Sequence, residues 1–324
     1  MEEAAHCNAH RSLRFILPTE THNSRGIAFV SLLAAILCIG WSAIFVRWTD
    51  MPGPSSAFYR MLIPSVLLLP TLLWRSGGVA TPGLRTMGII AMGGLFFALD
   101  LAFYNTSILK TSAANATLLG NNTPIVVGLL SWLVFSKRPG GAFWVGLTLA
   151  VCGSLVIVWG DLQHHARFGW GDVLALLAAA CFAVYLMTTE QVRAHTSTLV
   201  FLRMAIWSST LFLFLFCLIL RTPLHVPSTK SWLALLGLGL VSQLGGYLAL
   251  TYAMGHLRAT VTSVSLLSQG PLTALLAVPF LGERLSGSQI AGGLLVLLGI
   301  GLANHLERPE EDANATFGET GEAA

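Results

Sequence analysis

Apolar positions run through this chain in long blocks, broken by short polar stretches. The blocks carry no sustained period-two alternation, and several are apolar around the whole helical circumference, the pattern of helices whose surroundings are themselves apolar. A helix that crosses a bilayer needs about 20 consecutive apolar residues. Ten candidates meet that requirement, near residues 26–46, 54–74, 86–107, 112–135, 142–160, 171–190, 197–220, 231–253, 259–281 and 287–305. The connections are short, so no soluble domain fits between them. The expected organisation is a tail over residues 1–25, five helices over 26–160, five more over 171–305, and an acidic tail over 306–324.

Composition agrees with a lipid solvent. The 324 residues are 54% hydrophobic and only 10% charged, with a mean hydropathy of +0.71. Soluble domains carry roughly 25% charged residues. A net charge of +3 without basic runs gives no reason to expect nucleic acid as a partner. The five cysteines are scattered and form no C-x-x-C pair, so neither a zinc site nor a disulfide framework is expected. The first residues are polar and lack a signal-peptide pattern, so the first apolar block is expected to remain as a helix. Arg and Lys in the loops divide ten against six in favour of the side holding the N-terminus. Both termini are therefore expected in the cytoplasm, with the protein in the plasma (inner) membrane.

The chain also repeats itself. Leu32-Leu33-Ala34-Ala35 recurs as Leu176-Leu177-Ala178-Ala179, Trp41 corresponds to Tyr185, Arg60 to Arg203, and Pro124 to Pro271. Gly146 and Gly153 share their spacing with Gly292 and Gly299. Five crossings per half is an odd number, so the second half must be inverted relative to the first. The fold expected is an all-α membrane protein of ten transmembrane helices in two inverted five-helix repeats. Inverted repeats with a site at their interface are a transporter architecture. Two such halves can exchange conformations of similar energy, a symmetry for which an enzyme has no need.

Several motifs add a family resemblance. Gly270-Pro271-Leu272 lies inside a helix, Leu281-Gly282-Glu283-Arg284-Leu285 follows, and Gly292-Gly293 falls in the last helix. With Arg60, Asp100, Tyr104 and Gly171-Asp172, the chain resembles EamA-type members of the drug/metabolite transporter superfamily over residues 26–305. The first half departs from the pattern, with Phe135-Ser136-Lys137-Arg138 where the second has Gly282-Glu283-Arg284. The resemblance implies a cavity lined mainly by helices 1, 3, 4, 6, 8 and 9. It places helices 5 and 10 at the periphery, where they can mediate homodimer contacts. It also implies a small-molecule solute such as an amino acid, related metabolite or drug, often exported.

Candidate site residues follow from polarity inside these helices. Asp100 lies deep in helix 3, and a charge near the bilayer centre costs at least about 2.5 kcal/mol. It is expected to face water or protein. There it would contact a substrate amine or exchange a proton; otherwise neighbouring hydroxyls or Arg60 would satisfy it. Phe97, Asp100 and Tyr104 share one helix face, suited to a cationic or zwitterionic solute through cation–π contacts, or simply to packing. Asn115 and Asn122 on helix 4, and Thr262, Ser265 and Gln269 on helix 9, form matching polar stripes beside Pro124 and Pro271. These read as cavity lining at broken helices, or as helix–helix hydrogen bonding. Gln243, Tyr247 and Thr251 share a face of helix 8, while Trp41 and Tyr185 stand as clamp or interface aromatics. Arg60 and Arg203 are read as cations that snorkel, pair with carboxylates or contact an anionic group, with the structural reading favoured because long side chains reach the interface cheaply.

No Walker loop, catalytic triad or metalloprotease signature is present, so no cofactor and no enzymatic activity are expected. A membrane enzyme on a lipid-linked substrate would need a cluster of intramembrane acids, histidines or lysines, whereas Asp100 stands nearly alone. A channel or sensor is the other alternative. The function expected is secondary transport by alternating access, in the direction of export.

Overall fold

The computed structural model describes residues 22–73, 82–110, 119–120, 122–134, 140–165, 169–281 and 287–306. All regular structure among these residues is helical, and it falls into ten spans. Span 1 is α1 (His22–Gly40) with α2 (Ser42–Trp48). Span 2 is α3 (Gly53–Leu67) with α4 (Pro70–Leu73), and span 3 is α5 (Leu84–Lys110). Spans 4 and 5 are α6 (Thr123–Leu133) and α7 (Gly141–His165). Spans 6 and 7 are α8 (Trp170–Arg193) and α9 (Thr198–Ile219). Span 8 joins α10 (Thr229–Gly237), a π-helical stretch Leu238–Gly246, and α11 (Tyr247–Ala253). Span 9 is α12 (Ala259–Leu266) with α13 (Gln269–Leu281), and span 10 is α14 (Gly287–Leu306). Spans 1, 3, 6, 7 and 8 are each long and apolar enough to cross a membrane unaided. Large apolar side chains such as Leu33, Leu133, Leu233 and Leu298 are exposed, as expected of a surface that faces lipid tails.

The packing is two-fold related. Span 5 packs on span 10, span 2 on span 7 and span 4 on span 9. Span 3 packs on span 6 just as its repeat-equivalent, span 8, packs on span 1. The contact of spans 3 and 7 likewise matches that of spans 8 and 2. Each of these contacts thus has its image under exchange of the halves, the relation an inverted repeat requires.

Glycine makes the closest of these contacts possible. A Cβ built on Gly146 would stand 2.5 Å from the Gly299 carbonyl oxygen, and one on Gly153 would stand 2.6 Å from that of Gly292. Early span 5 meets late span 10, and late span 5 meets early span 10, so the two helices are antiparallel. Small residues let backbones approach, which is how helices associate in lipid, where burying apolar surface gains little.

The helix breaks have identifiable causes. Pro271 has no N–H for the Leu267 carbonyl, which is taken by the Gly270 N–H at 3.1 Å. Pro124 similarly frees the Gly120 carbonyl, which accepts the Thr123 hydroxyl at 3.0 Å. Span 1 breaks at Gly40–Trp41 without a proline. There the Gly40 carbonyl accepts the Thr273 hydroxyl from span 9 at 3.1 Å, and the Cys38 carbonyl accepts the Ser242 hydroxyl from span 8 at 3.0 Å. Spans 1, 8 and 9 are thereby tied at the break.

Candidate functional site

Near the middle of the bundle, Arg60 of span 2 reaches between the halves. Its Nε donates to Oε1 of Gln243 at 2.8 Å and its Nη1 to the Ser42 hydroxyl at 2.9 Å. The guanidinium lies over the Tyr247 ring, 5.7 Å from its centroid. Arg60 is 4% exposed and Gln243 fully buried. Of the alternatives that the sequence left open for Arg60, snorkelling to an interface does not occur; its side chain is held inward by span 1 and span 8.

Span 8 approaches closely enough to supply Gln243 because it carries glycines. A Cβ on Gly239 would come within 2.8 Å of Ile63, and one on Gly246 within 2.7 Å of Ile39. The π-helical stretch Leu238–Gly246 surrounds Gln243. Such local widening leaves backbone groups in non-standard register and is frequent at functional sites. The Gln243 Nε2 is buried with no hydrogen-bond partner among the described residues.

Aromatic rings form a wall beside this cation. Phe97 stacks on Tyr185 with centroids 4.3 Å apart and planes 11° from parallel, and Tyr247 lies 4.7 Å from Phe97. Phe182 extends the stack from span 6, 6.3 Å from Phe97. Asp100, one turn beyond Phe97, is half-buried and lies within electrostatic reach of Arg60 and Tyr247. Tyr104 on the same face reaches the field of Arg60, and its ring lies over Gly120. No ion pair joins Asp100 to Arg60 among the described residues. A cation and a carboxylate thus face the same region, backed by stacked rings, without neutralising each other directly.

The structure gathers Phe97, Asp100, Tyr104, Tyr185, Gln243 and Tyr247 around Arg60. The other sequence candidates have these contacts. Trp41 stacks on Phe45 at 5.8 Å and meets Phe280 edge-on at 4.5 Å, so it packs towards span 9 and does not mirror Tyr185. Asn122 donates to its own turn, the Leu119 carbonyl, at 2.9 Å. Ser265 donates to the Val261 carbonyl one turn back at 2.8 Å. Gln269 opens α13 and is half-buried. Asn115 lies outside the described residues, as does Glu283-Arg284. Sequence reading understated Arg60 and did not single out Ser42. The signal for Arg60 was its place as a cation inside a span.

A second polar cluster closes the face at which span 1 begins. The Glu190 carboxylate accepts the Ala259 N–H at 3.0 Å, at the start of α12. Arg193 donates through Nε to the Thr251 carbonyl at 2.9 Å and through Nη1 to the Thr196 carbonyl. Span 6 is latched to the turn between spans 8 and 9. At the opposite face, Ser55 and Tyr59 of span 2 donate to the Pro223 and Leu224 carbonyls at 2.7 and 2.8 Å.

A ten-span inverted-repeat bundle with buried charges at its repeat interface defines a membrane protein of the transporter type. The chain matches the EamA-like transporter family over residues 25–159 and 169–304, and it belongs to that family. It is 30% identical over 254 residues to the pseudopaline exporter CntI of Pseudomonas aeruginosa, covering 76% of this chain and 84% of that one. It is 29% identical to the uncharacterized transporter YwfM of Bacillus subtilis, covering 70% of this chain and 76% of that protein. A probable terminal-alkyne amino-acid exporter of Streptantibioticus cattleyicolor is 26% identical, with 70% and 76% covered. Among solved structures, one crystal structure superposes with a TM-score of 0.72 at 21% identity, covering 88% of this chain and 99% of that one. That likeness concerns the fold.

Proposed function

We propose that this protein is a secondary transporter that exports a small zwitterionic solute of the amino-acid type. The observation that carries the reading is the separated pair of Arg60 and Asp100 beside the Phe97–Tyr185–Tyr247 wall. Buried charges need compensation. A solute carboxylate would meet the Arg60 guanidinium, whose planar donors suit carboxylates. Its ammonium would meet Asp100 and the faces of the rings. Gln243 would orient Arg60 and offer its unused amide N–H to the same carboxylate.

Transport would proceed by rocking the two halves about this site. The Glu190–Arg193 latch would open one face, and the Ser55–Tyr59 contacts the other. The breaks at Trp41, Asn122 and Leu267–Ser268 would be the flexing points. Both termini would lie in the cytoplasm of a cell whose plasma membrane holds the protein. Two relatives are named as exporters, one for pseudopaline and one, as probable, for an alkyne amino acid; this supports both the direction and the solute class.

The test is counterflow in proteoliposomes loaded in turn with each common amino acid, with wild type, Arg60→Gln and Asp100→Asn compared. Saturable counterflow of at least one amino acid that both substitutions lower about tenfold or more supports the proposal. Conductance without saturation would establish a channel instead.

A further inference from the structure

We propose that the lateral groove between spans 2 and 7 is a binding site for an anionic phospholipid, with the headgroup phosphate on Arg203 and one acyl chain in the groove. The groove has a volume of about 500 Å³ and lies on the outside of the bundle, away from the central site. Its apolar walls are Leu62, Val66 and Leu69 from span 2 and Trp207, Leu211 and Phe214 from span 7. Val66, Leu69, Leu211 and Phe214 are exposed. The groove floor is internally satisfied: the Trp207 Nε1 donates to the Ser65 carbonyl at 2.9 Å, and the Ser65 hydroxyl to the Leu62 carbonyl at 2.7 Å. It therefore offers an apolar trough with no polar demand of its own.

Arg203 lies just beyond the lining of this trough, towards the side of the membrane where span 1 begins. It precedes Trp207 by one turn, and its guanidinium lies 5.8 Å from the Trp207 ring centroid. Nη1 donates to the Thr71 carbonyl at 3.0 Å, which ties it to the end of span 2. Nε has no acceptor among the described residues although it is shielded from solvent. A fixed cation with unused donor capacity is left beside the apolar trough. From Arg203 to Phe214 the wall rises roughly 16 Å, about half of a hydrocarbon core of ~30 Å. Charge and length together match one leaflet's lipid: phosphate at the cation, a single chain along the row. The equivalent cation of the first half, Arg60, is turned inward to Gln243 and Ser42, so the repeat has diverged at this position and only Arg203 is left to face a lipid.

The test is native mass spectrometry of the full-length protein in detergent, titrated with dioleoyl phosphatidylglycerol, dioleoyl phosphatidylcholine or glycerol phosphate. Wild type should retain phosphatidylglycerol in preference to phosphatidylcholine. Arg203→Gln should lower that retention about fivefold, the factor one basic residue contributes at an anionic surface. Arg203→Lys should keep most of it. Val66→Trp, an exposed position whose enlargement fills the trough, should lower retention of both lipids while leaving the thermal midpoint unchanged. Equal retention of the two lipids by wild type overturns the proposal. So does unchanged phosphatidylglycerol retention in both Arg203→Gln and Val66→Trp. Displacement of the lipid by equimolar glycerol phosphate would mark a bare anion site and overturn it as well.

Discussion

Arg60 and Gln243 are joined by a 2.8 Å hydrogen bond across 183 positions of sequence, linking span 2 of the first half to the π-helical part of span 8 in the second. This bond fixes a cation near the bundle centre, and every feature of the candidate site is arranged about it. The same bond couples the two halves, so a solute that draws Arg60 away from Gln243 would loosen their interface.

In the proposed site Asp100 is the acidic partner of Arg60. Replacement by Asn keeps the shape and removes the carboxylate's charge. Charge-assisted hydrogen bonds contribute ~1.5–3 kcal/mol, so transport efficiency of Asp100→Asn should fall by about 10- to 100-fold. Initial-rate counterflow at several solute concentrations checks it. Unchanged efficiency would remove Asp100 from the site.

Gly146 and Gly299 set the distance between spans 5 and 10. Gly146→Leu places a side chain where even a Cβ would stand 2.5 Å from a backbone oxygen. Overpacking of this kind costs about 1–3 kcal/mol or more, and the thermal midpoint in detergent should drop clearly. Gly301→Ala on span 10, the partner helix, is the control, because nothing lies within 4 Å of that position; its midpoint should hold.

Pro271 keeps span 9 broken. Pro271→Ala restores an N–H that can reach the Leu267 carbonyl in place of the Gly270 N–H and straightens the helix, since an interior proline costs ~3 kcal/mol. The variant should be at least as stable as wild type and transport more slowly. A stability scan with a turnover measurement checks both halves of that statement.

Glu190 holds the first turn of α12. Glu190→Ala removes the acceptor of the Ala259 N–H, an interaction of the size of a helix cap, about 1 kcal/mol. Hydrogen exchange at the Ala259 amide should accelerate about fivefold, the factor that ~1 kcal/mol sets. Amides in the span 5–span 10 contact should not change.

The sequence made the outline of this fold legible for physical reasons. Continuous apolar blocks mark spans, and the paired prolines Pro124 and Pro271 mark breaks, because both signals are local to the chain. The shared spacing matched Gly146 and Gly153 to Gly292 and Gly299 as repeat equivalents, but it did not state that Gly146 would meet Gly299 and Gly153 would meet Gly292 across an antiparallel contact. The site was less legible. Phe97, Tyr185 and Tyr247 stack only because three spans converge, and no local pattern states which aromatics will meet. Trp41 and Tyr185 occupy equivalent positions yet have different neighbours, since Phe45 and Phe280 draw Trp41 towards span 9. Asn122 was read as cavity lining or interhelical bonding; its amide donates to the Leu119 carbonyl of its own turn, a bond that the broken turn before Pro124 makes available and that no residue pattern announces. The π-helical stretch around Gln243 leaves no residue pattern distinct from an ordinary α-helix.

The most direct test of the central claim is ligand-induced stabilisation of the purified protein by free amino acids, their amides and their N-acetyl derivatives. A ligand that binds only the folded state raises the thermal midpoint. The site predicts that at least one free amino acid does so, and that blocking either its carboxylate or its amine removes the effect. It also predicts that Asp100→Asn no longer distinguishes the free acid from its N-acetyl form, while Arg60→Gln no longer distinguishes it from its amide. No shift with any free amino acid, or equal shifts with all three forms in the wild type, would contradict a site built on two separated charges.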